Sequence, residues 1–199
     1  MILDAGLISD REMVSAARAV IRGGADSVQL RCKARDTVSM IGTASAVAKV
    51  CRRRGVPLVI NDRIEVALAA GSSGVHLGQG DIDITLARRL LGPRALIGVS
   101  ASGTSAAVKA MGSGASYIGA GPAFRTPIKP SSPAISHGSL AAMARRGVPV
   151  MAIGGVDSGN VCELTGIGVR SVAVIRAVCA ANDRAAAVRK LKRAMAKTR

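Results

Sequence analysis

Eight short apolar runs, each followed by a turn and an Ala-rich stretch of helical period, recur from Ile2 to the basic tail. The candidate strands fall at 2–3, 26–30, 57–60, 74–77, 95–99, 116–119, 148–152 and 171–174. Helical stretches lie between them at 10–22, 38–54, 64–70, 82–91, 105–112, 139–146, 158–165 and 183–197. Such alternation builds a parallel sheet, because parallel neighbours need a long crossover and a helix provides it. An open doubly wound sheet and a closed (β/α)8 barrel both satisfy the pattern. The count of eight and the even repeat favour the TIM barrel. At 199 residues against a typical length of about 250, this is a compact α/β barrel with short loops. The reading is of a single catalytic domain over residues 1–199 with a shortened first strand, since only three residues precede Asp4.

Composition limits what such a core contains. Hydrophobic residues make up 49%, yet there is no Trp, one Tyr and one Phe, so Ala, Val, Ile and Leu must fill it. A chain this poor in rings is badly equipped to stack bases. The formal charge of +16 invites a nucleic-acid reading, but Arg52-Arg53-Arg54, Arg88-Arg89, Arg145-Arg146 and the tail sit in helical stretches and read as solvated faces. That field would still favour a small acidic substrate. The four cysteines have no paired spacing and read as small buried thiols. No apolar run is long enough to span a bilayer and no signal peptide is evident, so a cytoplasmic location is expected. Gly23-Gly24-Ala25-Asp26, Ala70-Gly71-Ser72-Ser73-Gly74 and Gly112-Ser113-Gly114-Ala115-Ser116 look like one helix-to-strand turn used three times.

Barrel enzymes carry their chemistry at the C-terminal ends of the strands, and unusual polar residues follow the apolar runs here. Gln29, Arg31 and Lys33 alternate along one extended face, a grip for a pyrophosphate or carboxylate or else a solvated strand end. Asn61-Asp62 follows the third run, where helix capping competes as an explanation. Asp81 follows the fourth, so Asp62 and Asp81 are candidates to share one Mg²⁺ with substrate phosphate oxygens. His76 alternates with apolar neighbours and reads as a structural histidine. Ser100 ends the fifth run, and the long segment from Gly119 to Gly138 reads as a binding loop with Lys129 as its charged contact. Gly154-Gly155 and Ile175-Arg176 follow the seventh and eighth runs, a recurring phosphate position in such barrels.

Taken together, these segments resemble the thiamine phosphate synthase family. The resemblance rests on Gly23-Gly24-Ala25 with Gln29-Leu30-Arg31-x-Lys33, Ile60-Asn61-Asp62-Arg63, Gly74-Val75-His76-Leu77-Gly78-Gln79-x-Asp81, Ile97-Gly98-Val99-Ser100, Gly121-Pro122-x-Phe124-x-Thr126-x-x-Lys129-Pro130 and Ala152-Ile153-Gly154-Gly155. It implies an enzyme that couples hydroxymethylpyrimidine pyrophosphate to hydroxyethylthiazole phosphate with Mg²⁺, by departure of pyrophosphate and capture of the cation by the thiazole nitrogen. It further implies that Gln29 holds the pyrimidine and that Arg31, Lys33, Asn61, Ser100 and Lys129 bind the pyrophosphate. Catalysis then falls to Arg31, Lys33, Ser100 and Lys129, which stabilise the leaving group. By the same resemblance Asp62 and Asp81 hold the metal, Thr126 lines the phosphate region, and Gly155, Ile175 and Arg176 meet the thiazole phosphate.

Three positions depart from the family pattern: Arg176 where Ser is common, Ile128 where a second Thr is common, and Ser102 where a His often stands. Ser102 argues against the related thiazole tautomerase, which needs that histidine. A non-catalytic, basic nucleic-acid-binding barrel is the rival from another class, favoured by charge and opposed by the polar strand ends. The expected partners are phosphorylated small molecules, with neither nucleic acid nor membrane; homo-oligomer formation stays open.

Overall fold

The computed structural model describes residues 1–33, 36–128 and 133–198. Its eight strands are β1 (Ile2–Asp4), β2 (Val28–Arg31), β3 (Leu58–Asn61), β4 (Gly74–Leu77), β5 (Leu96–Ala101), β6 (Tyr117–Ala120), β7 (Val150–Ile153) and β8 (Ser171–Ala173). They are hydrogen-bonded in chain order in one sheet, and the fold is of the α/β, (β/α)8 type. The helices are α1 (Asp10–Arg22), α2 (Thr37–Arg53), α3 (Ile64–Ala70), α4 (Ile84–Leu91), α5 (Thr104–Gly112), α6 (His137–Arg145), α7 (Val161–Gly166), the short α8 (Arg176–Cys179) and α9 (Arg184–Ala196). No described helix is long and apolar enough to cross a membrane.

Side-chain caps, rather than hydropathy, set several helix starts. Asp83 accepts the Thr85 and Leu86 N–H groups, so α4 begins two residues after the apolar pattern does. Ser136 accepts the Ser139 N–H and starts α6 early. Asp157 turns its carboxylate onto the Gly159 and Asn160 N–H groups, which holds 157–160 in a turn and delays α7.

The chain divides into two compact units. The first comprises Met1–His76, Leu91–Leu96 and Ile175–Arg189. Here α1 buries Met13, Ala16, Ala17 and Val20, one stripe at helical spacing, while Arg11, Arg18 and Arg22 stay in solvent. α2 does the same with Met40, Ala44, Val47, Ala48 and Cys51. Leu3 on β1 is in register with Leu30, Leu30 with Ile60, and Ile60 with Val75. This row is fully buried, and each such side chain contributes about 1.5–3 kcal/mol to folding.

The second unit comprises Leu77–Leu90, Ile97–Val174 and Lys190–Arg199. Its corresponding row runs through Val99, Ile118 and Val150. Leu140 and Met143 of α6 and Val161 and Leu164 of α7 are buried in this unit. The repeated turns behave as one device in both units. Gly24, Gly71 and Gly114 take positive φ at the helix exits. Ser73 then exchanges a pair of hydrogen bonds with Leu58, its hydroxyl accepting the Leu58 N–H and its own N–H reaching the Leu58 carbonyl. Ser116 does the same with Ile97.

Among the cysteines, Cys32, Cys51 and Cys179 are buried and Cys162 is half-buried. Burial pushes the thiols of Cys32 and Cys51 up to about 11, and that of Cys179 upward as well. Because the thiolate is the reactive form, a thiol reagent at pH 8 is expected to modify at most Cys162 rapidly in the folded protein. All four should react in denaturant. Rapid modification of more than one native thiol would contradict this burial.

Candidate active site

Successive residues of a strand face opposite ways, so the row after the buried Leu3–Leu30–Ile60–Val75 row points to the other side of the sheet. In the first unit that row carries Asp4, paired in register with Arg31, and Asn61, paired with His76. Gln29, two residues before Arg31, shares its face. The only buried polar residues among those described are Asp4 and Gln29, at 7% and 9% exposure. Apolar sequences rarely bury such groups without a role for them, so this face is where the unit's polar chemistry concentrates.

The strands end later than the apolar runs suggest: β1 on Asp4, β2 on Arg31 and β3 on Asn61. The backbone ladder continues under these polar side chains and fixes them. Arg31 Nη1 donates to Asp4 Oδ2, and Asp4 Oδ1 accepts the Gly6 N–H at 2.8 Å. Arg31 is half-buried, whereas Lys33, in the turn beyond, is exposed.

Asp62 follows Asn61 with φ 64, the one described non-glycine residue with positive φ. Its N–H donates to the His76 carbonyl at 2.8 Å, and the Arg63 N–H reaches back to Asn61 at 2.8 Å. The Arg63 to Asn61 bond spans a single residue, so Asp62 is the centre of a tight turn of positive φ that re-aims the chain as it leaves β3. Arg63 itself is tied to Glu65 and Thr37. Ile175, before α8, is buried, while Arg176 begins that helix with its side chain exposed.

In the second unit, Asp81 is exposed, and its Oδ2 accepts the Gly78 N–H at 2.6 Å, closing the loop after β4. Ser100 lies on β5 in register with Gly119 of β6, half-buried. Ser102 is exposed in the turn after β5. Thr126 Oγ1 accepts the Ile128 N–H at 3.4 Å, so Ile128 contributes backbone where a second hydroxyl is absent. Lys129 lies outside the described residues.

Gly154 and Gly155 have φ 94 and 67. Both serve a close backbone approach: Ala123 N–H donates to Ile153, and Phe124 N–H donates to Gly154 at 3.0 Å. A Cβ on Gly155 would lie 2.6 Å from the Arg125 carbonyl oxygen. Asn160 Nδ2 fixes the Gly155 carbonyl at 2.8 Å. Phe124 meets His137 edge-on at 5.3 Å between ring centres.

Sequence reasoning missed Asp4, which it treated as the point where a clipped strand stopped. The available signal was its place directly after an apolar run, the rule that found Arg31 and Asn61. No group of three or more His, Cys, Asp or Glu side chains that could hold a metal occurs among the described residues. An open cavity of ≈ 280 Å³, lined by Cys51, Arg52, Pro57 and Gly71 among others, lies at the start of β3, the end away from Asn61.

An eight-stranded parallel sheet with alternating helices, whose strands end in polar side chains, is the architecture of the α/β-barrel enzymes, which carry their chemistry at those strand ends. The family model for thiamine monophosphate synthase matches residues 1–178, and the chain belongs to that family of transferases in thiamine biosynthesis. It is 43% identical to the thiamine-phosphate synthase of Chloroflexus aurantiacus over 194 residues, 96% of this chain and 89% of the relative. It is 40% identical to that of Roseiflexus sp. over 193 residues, 96% and 82% of the two chains. Among solved structures it is similar to thiamine phosphate pyrophosphorylase from Pyrococcus furiosus, with TM-score 0.90 and 31% identity over 99% of this chain and 94% of that one.

Proposed function

We propose that residues 1–199 act as one catalytic domain, in the cytoplasm, that joins hydroxymethylpyrimidine pyrophosphate to hydroxyethylthiazole phosphate. The carbon–oxygen bond to the pyrophosphate breaks and its electron pair leaves with the pyrophosphate. The thiazole nitrogen lone pair then forms the new carbon–nitrogen bond, giving thiamine phosphate with no proton to remove. A reaction of this kind needs stabilised leaving-group charge and two aligned partners rather than a strong base.

The single observation that carries the reading is the polar face of β1–β3, where Gln29 and the Asp4–Arg31 pair are held on strands in a chain of this family. Gln29 is assigned to the pyrimidine. Arg31, Lys33, Asn61, Ser100 and Lys129 are assigned to the pyrophosphate, Gly155, Ile175 and Arg176 to the thiazole phosphate, and Thr126 to the thiazole phosphate or pyrophosphate region. Asp62 and Asp81 supply hard carboxylate oxygens, the donor chemistry Mg²⁺ prefers, and a site of one or two carboxylates completed by substrate oxygens and water suits that ion. When bound there, Mg²⁺ would neutralise pyrophosphate charge. Ser102 offers no imidazole for thiazole isomerisation.

The test is a coupling assay with both phosphorylated substrates, with and without Mg²⁺, following thiamine phosphate. The parent should form product, EDTA should suppress it, and Lys33→Ala should raise KM for the pyrimidine pyrophosphate about 10-fold, the worth of one exposed charge-assisted contact of ~1.4 kcal/mol. A folded parent that forms no product overturns the proposal.

A further inference from the structure

We propose that Asp4 is a positioning residue that aims the Arg31 guanidinium at the pyrophosphate; this rests on the pyrophosphate reading of Arg31. Asp4 and Arg31 face each other in register at the ends of β1 and β2, and the backbone is fastened around them. The Ala5 N–H donates to the Arg31 carbonyl at 2.9 Å, and the Leu7 and Ile8 N–H groups both donate to the Asp4 carbonyl at 3.0 Å. The Asp4 carboxylate is thereby fixed at both oxygens, Oδ1 by the Gly6 N–H and Oδ2 by Arg31 Nη1. Its side chain is 10% exposed, and that of Arg31 is 20% exposed.

A guanidinium is a planar fork of five donors, and holding one edge fixes the direction of the others. Among the described residues only Nη1 of Arg31 is engaged, so its remaining donors are presented in a set plane. A carboxylate that merely balanced charge would weaken anion binding at Arg31, and its neutralisation would tighten it. A carboxylate that positions the fork does the reverse. The two roles therefore differ in sign.

The measurement is calorimetric binding of inorganic pyrophosphate with Mg²⁺ to the parent, Asp4→Asn, Arg31→Ala and the double variant, alongside KM for each coupling substrate. Asp4→Asn is expected to weaken pyrophosphate about 10-fold and to raise KM for the pyrimidine pyrophosphate similarly, with KM for the thiazole phosphate unchanged. In the Arg31→Ala background it should add nothing, since coupled residues are not additive. Unchanged or tighter binding in Asp4→Asn, or an equal further loss in the double variant, overturns the proposal.

If Asp4→Asn does not fold, Arg31→Lys decides. It keeps the charge and loses the fork that Asp4 holds, so parent-like binding overturns the proposal, and weakened binding supports it when Asp4→Glu, which keeps the negative charge and shifts the carboxylate, weakens pyrophosphate as well. A parent that binds pyrophosphate but makes no thiamine phosphate overturns the proposed activity and leaves this inference intact. A parent that binds no pyrophosphate overturns the inference itself.

Discussion

Asp62→Gly is expected to lower thiamine phosphate formation by at least about 100-fold, the worth of one group aimed at developing charge. The backbone at Asp62 sits at φ 64 in a tight i→i+2 turn, a sparsely populated conformation that costs an L-residue about 1–3 kcal/mol. Glycine adopts it freely but loses about 0.5–1 kcal/mol through the greater entropy of its unfolded chain. The two effects oppose each other in the backbone contribution to stability, and comparing activity at equal folded concentration reads the lost carboxylate. Asp62→Asn keeps the left-handed tolerance and an acceptor oxygen and removes only the charge. Equal loss in both variants assigns the role to the negative charge, as a cation site requires. Activity of Asp62→Gly within about threefold of the parent would remove Asp62 from the machinery.

The same residue marks how far the sequence could be read. Alternation puts Gln29, Arg31 and Lys33 on one face; it holds for Gln29 and Arg31, but β2 stops at Arg31 and Lys33 lies in the turn beyond, where the strand period no longer applies. The eight-unit repeat favours a barrel over an open sheet for a different reason: parallel neighbours need a helical crossover, and the repeat supplies one between each pair of strands. What hydropathy could not supply was where each ladder stops. Asp4, Arg31 and Asn61 are polar and still lie inside strands, since pairing depends on backbone N–H and C=O groups rather than on side-chain character. Asp4 was lost for that reason. Nor does one-dimensional spacing reveal a positive φ at Asp62, or that Asp81 spends one carboxylate oxygen on the Gly78 N–H. Both depend on how a turn closes in three dimensions.

Gly154-Gly155 is the sharpest difference between the two views. The sequence suggests glycines that let N–H groups approach a phosphate. In the fold their missing side chains admit the 122–125 segment, with Pro122 Cβ 2.6 Å from a Cβ on Gly154 and the Arg125 carbonyl oxygen 2.6 Å from one on Gly155. A phosphate role is compatible with this, and the packing role is independent of it.

Gly155→Ala is accordingly expected to destabilise the protein by ~2–5 kcal/mol, combining left-handed strain of 1–2 with the cost of displacing a fixed backbone carbonyl. Gly147→Ala separates the two contributions. Gly147 has φ 72 and nothing within 4 Å of an added Cβ, so it should lose only the ~1–2 kcal/mol of strain. Denaturant unfolding of both variants gives the difference directly. Because Gly155 is itself assigned to the thiazole phosphate and the displaced segment leads straight to Thr126, Gly155→Ala should also impair coupling under conditions where it is fully folded, whereas Gly147→Ala should not. If the two variants lose equal stability, the close approach is soft and the paired glycines are held by something other than packing. If Gly155→Ala loses more stability yet couples normally, Gly155 drops out of the thiazole phosphate assignment and the 122–125 segment braces the fold without setting the geometry of the loop that carries Thr126.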